Sequence, residues 1–224
     1  MYIDYYTLKD YCKGLSCLDN PKVRTVGVGR SAYHYIDNNA KVLAVAHLDS
    51  VQAYNGMYYD RRKGLIRCRT LDDRLGVYII MHVLPRLGIN VDVLLTWDEE
   101  RCNSSAQFFE TTKKYNWIIE FDRMGVDVVM YQYFANIRAR EYVTSLGLKA
   151  DYGSYTDIVE LEHLGCVGFN WGVGYHAHHS INAWVSVDEL DYMIGKFRKF
   201  WSFYSETFMP YEAERIAPKW TLTP

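Results

Sequence analysis

Short apolar runs alternate with longer amphipathic stretches along this chain, and each change of period predicts a strand giving way to a helix. Residues 1–20 predict a short helix with Tyr5, Leu8 and Tyr11 or Cys12 on one side, ending at the turn-like D-N-P of Asp19 to Pro21. Val23 to Val28 and Ala32 to Ile36 read as strands around G-V-G-R, and because Gly27 and Gly29 open no helix they make no dinucleotide fingerprint. Lys41 to Ala46 is a short apolar strand. Met57 to Arg69 reads as a hairpin turning at Arg62 to Gly64, its cations suiting a solvated sheet edge. L-D-D-R-L-G at Leu71 to Gly76 then leads into a helix of about three turns packed on a sheet. An N-cap explains one of Asp72 and Asp73 but not both.

Further on, Leu94 to Glu100 opens as a strand, Ser104 to Lys113 predicts a helix, and Trp117 to Phe121 is another buried strand. Val126 to Tyr131 suits an antiparallel edge strand, and Asn136 to Gly147 a helix stopped by glycine. Thr156 would cap a helix to His163, and Cys166 to Trp171 would be the last strand. Val187 to Phe208 closes the chain as a long helix with Leu190, Ile194, Phe197, Phe200 and Trp201 inside and a capping box of Ser186 and Glu189. This alternation predicts an α/β fold, a mixed, mostly parallel sheet covered by helices on both faces, built as one domain over residues 1–224.

Chemistry gathers where the apolar runs end, since sites in such sheets form at the carboxyl ends of the strands. L-L-T-W-D-E-E delivers Asp98, Glu99 and Glu100 in succession. Two such charges about 4 Å apart repel by roughly 4 kcal/mol at an effective dielectric near 20. They must therefore splay into water, take up protons or face cations; a solvated turn explains this stretch taken alone. A-H-L-D places His47 and Asp49 two residues apart, so that the Asp49 carboxylate could take the second ring N–H of His47 and fix its tautomer. A core-edge histidine with an incidental aspartate is the other reading. Asp122 ends the W-I-I-E-F run.

Composition narrows the classes. With 49% hydrophobic and 23% charged residues and a net charge of -2, the chain has a sizeable core and lacks the electrostatic footprint of a typical nucleic-acid binder. The five cysteines form no C-x-x-C pair, and their odd number fits reduced thiols. The N-terminus has no signal-peptide pattern, and no apolar run reaches the ~18 residues of a membrane span. A soluble, cytoplasmic protein is the expectation. The 20 tyrosines suit core edges or a subunit interface and point to no function.

H-x-D at His47 and Asp49, D-D-R-L-G at Asp72 to Gly76, E-E at Glu99 and Glu100, the strand-end Asp122, and H-S at His179 and Ser180 occur in one order. That order resembles the co-catalytic di-zinc exopeptidases of peptidase clan MH, which include bacterial leucyl aminopeptidase, peptidase T and the tetrahedral aminopeptidases. The resemblance spans residues 47–180 and implies a three-layer α/β/α sandwich of the zinc exopeptidase, or phosphorylase/hydrolase-like, type. It implies that His47 and Asp122 hold one Zn²⁺ and Glu100 and His179 the other, with Asp72 bridging them and the peptide after Asp72 usually cis. Asp49 would orient His47, and Glu99 would be the general base for water activated by the metals. G-S-Y-T-D resembles the group's substrate-side loop and would bring Asp157 near the site. His176 and His178 are left as surface or substrate-side candidates.

Histidine and carboxylate donors without thiolate suit zinc, and manganese or cobalt would fit as well. Asp72, Glu100 and Asp122 together bring three negative charges against the four positive of two divalent ions. The implied activity is an aminopeptidase that removes N-terminal residues from short peptides. The rivals are a deacylase of N-acyl amino acids or similar small amides, and a non-catalytic metal-binding module on the same fold. Arg101 and Cys102 after E-E, and Ala183 and Trp184 after H-S, depart from the group's pattern and bear on substrate preference. Only residues 50–71 separate Asp49 from Asp72, too few for an inserted lid or dimerisation domain, so the pocket would be open or completed by a partner subunit such as a second copy.

Overall fold

Unbroken burial of the longest apolar runs dictates where the sheet lies. The computed structural model describes residues 2–212. Its strands are Arg24–Val26 (β1), Tyr33–Ile36 (β2), Val42–His47 (β3), Tyr58–Asp60 (β4), Leu65–Arg67 (β5), Asp92–Thr96 (β6), Trp117–Arg123 (β7), Val128–Val129 (β8), Ala150–Asp151 (β9), Gly168–Gly172 (β10), Tyr175–His176 (β11) and Trp184–Ser186 (β12). Eight of them form one sheet in the order β1-β2-β6-β3-β7-β10-β8-β9. The central neighbours β6, β3, β7 and β10 run parallel, while β1, β2 and β8 pair antiparallel. All six residues of β3 are buried, as are the first five of β7, so both faces need cover.

Helix Tyr5–Lys13 (α1) buries Leu8 and Cys12 and is capped by the Asp4 carboxylate. Leu71–Tyr78 (α2) continues through the π-helical Ile79–Val83 into Leu84–Arg86 (α3), and α2 packs on β3 and β7. Ile137–Thr144 (α4) is capped by Asn136. Val187–Tyr204 (α5) lays Phe197, Phe200 and Trp201 against Trp117 of β7 edge to face, and Phe197 against Phe121. Such aromatic pairs contribute about 0.5–1.5 kcal/mol each beyond burial. No helix among the described residues is long and apolar enough to cross a membrane, and all five cysteines are free thiols. The α/β architecture with a mostly parallel mixed sheet is the one expected.

Several elements differ from expectation. Thr156 caps no helix: its hydroxyl donates to Glu120 at 2.6 Å, and Asp157–Leu164 is a 3-10 helix. Ser104 to Lys113 forms a single 3-10 turn, Ser105–Phe108, instead of a helix, because the Phe109 carbonyl bonds to the His163 ring at 2.9 Å and Lys113 reaches Asp92 and Asp37. Those tertiary bonds need extended backbone. Val128–Val129 is not at an edge, since β9 pairs beyond it. The hairpin of β4 and β5 belongs to a separate four-stranded sheet, ordered β11-β12-β5-β4, whose β11 and β12 follow the strand expected to be last. This small sheet frames the loop from Ala177 to Ala183.

Candidate metal centre

His47 is the last residue of β3 and is wholly buried. Its Nδ1 meets the backbone carbonyl of Asp49 at 3.0 Å, whereas the Asp49 carboxylate is 3.6 Å away, beyond hydrogen-bond reach. The expected carboxylate partner is thus replaced by a main-chain one. The result for the ring is the same: a proton on Nδ1 leaves the Nε2 lone pair free. Asp49 accepts the Glu100 backbone N–H instead, at 3.2 Å, which ties the end of β3 to the turn after β6.

Asp72 and Asp73 divide two tasks. The Asp73 carboxylate folds inward and accepts the Gly76 N–H at 3.0 Å, a local cap inside the first turn of α2. Asp72, joined to it by a cis peptide, turns the other way. Its Oδ1 lies 3.2 Å from His47 Nε2 and its Oδ2 3.1 Å from His179 Nε2, so one carboxylate faces both histidines.

After β6 the chain turns tightly. Asp98 and Cys102, with φ of 61° and 52°, enclose the 3-10 turn Glu99–Arg101. This turn points Glu99 Oε2 at His47 Nε2 (3.7 Å) and Glu100 Oε2 at His179 Nε2 (2.8 Å). His179 itself has a φ of 58°, and Ala177 and Tyr131 nearby are also left-handed. Non-glycine residues in that region cost about 1–3 kcal/mol each and gather at functional sites. Asp122, late in β7, completes the set with Oδ2 at 3.9 Å from His47 Nε2. The Tyr175 hydroxyl donates to its carboxylate at 3.0 Å and Asn170 Oδ1 takes its backbone N–H at 3.0 Å.

Two groups of donors result, His47 with Asp72 and Asp122, and Asp72 with Glu100 and His179. Within each, one atom per residue lies within 4.8 Å of the others. A cavity of about 280 Å³ opens beside them, bordered by Asp72, Glu99, Asp122, Arg123, Tyr131, Gly153, Tyr155, Tyr175, His178 and His179. The G-S-Y-T-D loop does reach this cavity through residues 153–155. Asp157 does not: it is fully buried behind the site, accepting hydroxyl protons from Thr96 (2.8 Å) and Ser104. His176 also stands apart, bonded to Glu189 at 2.6 Å and stacked on Trp184. His178 is the histidine beside His179 that borders the cavity. Tyr131 and Tyr175 were not anticipated, because nothing in their local sequence separates them from the other tyrosines, whereas Tyr155 lies in the G-S-Y-T-D loop that the sequence singles out.

The charge balance shows what the cluster needs. Burial pushes the Glu99 carboxyl up to about 8, with Asp157, Asp72 and Glu100 adding to it against His47. Burial likewise lifts Asp122 well above the carboxylate range, helped by Asp72 and Asp73, and raises Glu100. For Asp72 burial is outweighed by the His179 and His47 rings that face its two oxygens, which hold it below that range. Burial also opposes the charging of His47, but Asp49, Asp72, Asp122 and Glu99 keep it well above an ordinary imidazole. Negative charge exceeds what two histidines can offset. The buried His47 Nε2 has no hydrogen bond of proper geometry, and Glu100 Oε1 is buried without a partner. Imidazole and carboxylate donors that converge and hold on to protons for want of another counter-charge fit divalent cations, which would take the place of those protons.

No family model and no curated protein matches the chain. Solved structures do. A tripeptidase from Staphylococcus aureus subsp. aureus Mu50 superposes with a TM-score of 0.63 at 10% identity, over 89% of this chain and 97% of that one. Aminopeptidase PepT from Bacillus cereus ATCC 10987 gives 0.59 at 11% identity, over 89% of this chain and 98% of that one. PhTET1-12s, a dodecamer in its crystal, gives 0.58 at 11%, over 88% and 99%. At such identities the likeness is one of fold, and the chain has the fold of these peptidases, the zinc exopeptidase fold implied by the motif order.

Proposed function

We propose that this chain is a two-metal amide hydrolase, in the first instance an aminopeptidase acting on short peptides. One observation carries the reading: two ligand groups meet at the carboxyl edge of β3, β6 and β7 and share Asp72, with Glu99 beside them. Fold alone would not choose a reaction, since one fold hosts many.

In this reading His47 and Asp122 hold one cation, Glu100 and His179 the second, and Asp72 both. Zinc suits the donors, with manganese and cobalt as alternatives. Bound there, two divalent cations lower the pKa of a water and polarise the scissile carbonyl. The protein supplies the proton traffic. Glu99 is mostly shielded from water yet borders the cavity, so its carboxylate takes the proton of the attacking water and returns it to the departing amine. A positioned group of this kind contributes about 10² to 10⁴ in rate. Asp49 acts through others, its backbone on His47 and its side chain on the Glu100 backbone. The open cavity also leaves room for a partner subunit, and PhTET1-12s, with the same fold, is a dodecamer.

The test is Glu99→Gln on zinc-loaded protein, assayed with dipeptides, aminoacyl anilides and N-acyl amino acids. Metal content should stay the same while turnover falls at least about 10²-fold. Unchanged turnover contradicts the mechanism, and hydrolysis confined to N-acyl amino acids would make the enzyme a deacylase.

A further inference from the structure

The cavity has a cationic wall as well as an anionic one. Arg123 follows Asp122 directly, and strict alternation along a strand would send the two side chains to opposite faces. Both nonetheless border the cavity. The reason lies in the pairing of β7 with β10: Asn170 pairs with Glu120, but Gly172 pairs with Arg123, so Phe121 and Asp122 stand opposite Trp171 alone. A bulge of this kind re-aims side chains at a site.

The guanidinium is held in a fixed plane. Its Nε donates to Asp127 Oδ1 at 3.1 Å and its Nη2 to Asp127 Oδ2 at 3.4 Å. Nη1 makes no hydrogen bond among the described residues. On the same cavity wall His178 carries a buried Nδ1 with no partner. An arginine anchored on one edge presents the other to a second carboxylate with its direction already set.

We propose that Arg123, with His178 beside it, forms a carboxylate subsite, and that the substrate bears a free carboxylate close to the scissile amide. This rests on the hydrolase reading above. The carboxylate has two sources, the α-carboxylate of the leaving residue or an acidic side chain. The volume of about 280 Å³ falls just below the usual range of ligand sites, ~300–1,000 Å³, and favours the first, in a dipeptide or an N-acyl amino acid.

Calorimetric titration of zinc-loaded protein tests it with three probes that cannot be hydrolysed. They are the reduced-amide isostere of Ala-Ala, its C-terminal amide, and the C-terminal amide of the Glu-Ala isostere. The first should bind about tenfold or more tightly than the second, and Arg123→Gln should bring that ratio near one. The double variant Arg123→Gln with Asp127→Asn, which strands no charge, should do the same. Tighter binding of the third probe than the second, lost in the same variants, would place the carboxylate on a side chain and keep the subsite. Equal binding of all three overturns the proposal. So does a preference that survives in both variants, since the carboxylate would then sit on the cations. Turnover of Ala-Ala and of N-acetylalanine, followed in parallel, judges the hydrolase reading separately: absent turnover of both with the binding preference intact rejects that reading and leaves the subsite.

Discussion

Alanine at Gly76 probes how the shared aspartate is held in place. A Cβ there would lie 2.2 Å from Asp73 Oδ1, 2.6 Å from Oδ2 and 2.7 Å from Cγ. Asp73 is fully buried and bonded to the Gly76 N–H, so it has no solvent to swing into. Overpacking of this kind costs about 1–3 kcal/mol. Displacing the carboxylate leaves buried polar groups unpaired, a further ~1–3 kcal/mol. Alanine returns about 1 kcal/mol of helix propensity. The net is about 3 kcal/mol, which at roughly 2–4 °C per kcal/mol for a chain of this size lowers the melting midpoint by about 6–12 °C. Urea unfolding and thermal melts on chelated protein read the loss without metal. Asp73 shares its peptide with Asp72, so zinc titration of the variant should show both sites weakened together. In an Asp73→Ala background the same substitution should cost at least about 1 kcal/mol less, the coupling expected of groups in contact. A Gly76→Ala protein within about 0.5 kcal/mol of the parent, or a cost unaltered by Asp73→Ala, would refute the reasoning.

Other perturbations separate the parts of the site. Chelated protein should lose stability as pH rises from about 4.5 towards 8, because Glu99, Glu100 and Asp122 keep protons in the folded state that the unfolded chain has released. His47 and His179, raised when folded, add to the same fall, and Asp72, lowered, adds nothing in that window. Zinc should flatten or reverse the trend, because binding needs deprotonated ligands; melts across pH with and without chelator would show it. Asp49→Ala should leave the His47 ring held by the main chain but loosen Glu100, so calorimetry should find one zinc site weakened about 10- to 100-fold and the other little changed. Equal weakening would contradict that division. Gly153→Ala would set a Cβ 2.5 Å from the Tyr131 ring and 2.6 Å from Val129, crowding the cavity, so steady-state kinetics should show a raised KM with metal content unchanged.

How far the chain could be read in advance depended on the range of the forces involved. Val42 to His47 and Trp117 to Phe121 are long apolar runs, so burial declares them as central strands, and the polar residues at their ends declare the site's edge. The small sheet was hidden because β11 and β12 have two and three residues, too few for any period to register. Ser104 to Lys113 carried a helical pattern, but bonds to His163 and Asp92, distant in sequence, decided its backbone. In the site, the resemblance of the motif order to the di-zinc exopeptidases singled out His47, Asp72, Glu99, Glu100, Asp122 and His179, which the fold brings together. The partner of His47 was misread because a main-chain carbonyl leaves no trace in residue type. Arg123 went unnoticed for a related reason: the bulge that turns it inward is a property of its pairing with β10.

Metal stoichiometry tests the central claim most directly. Plasma mass spectrometry on protein purified without chelator and then loaded with zinc should find about two ions per chain, with one lost in His47→Ala or His179→Ala and both impaired in Asp72→Ala. Two ions that survive the loss of Asp72 would contradict the shared ligand. No stoichiometric metal after loading would leave the fold standing and overturn the hydrolase built on it.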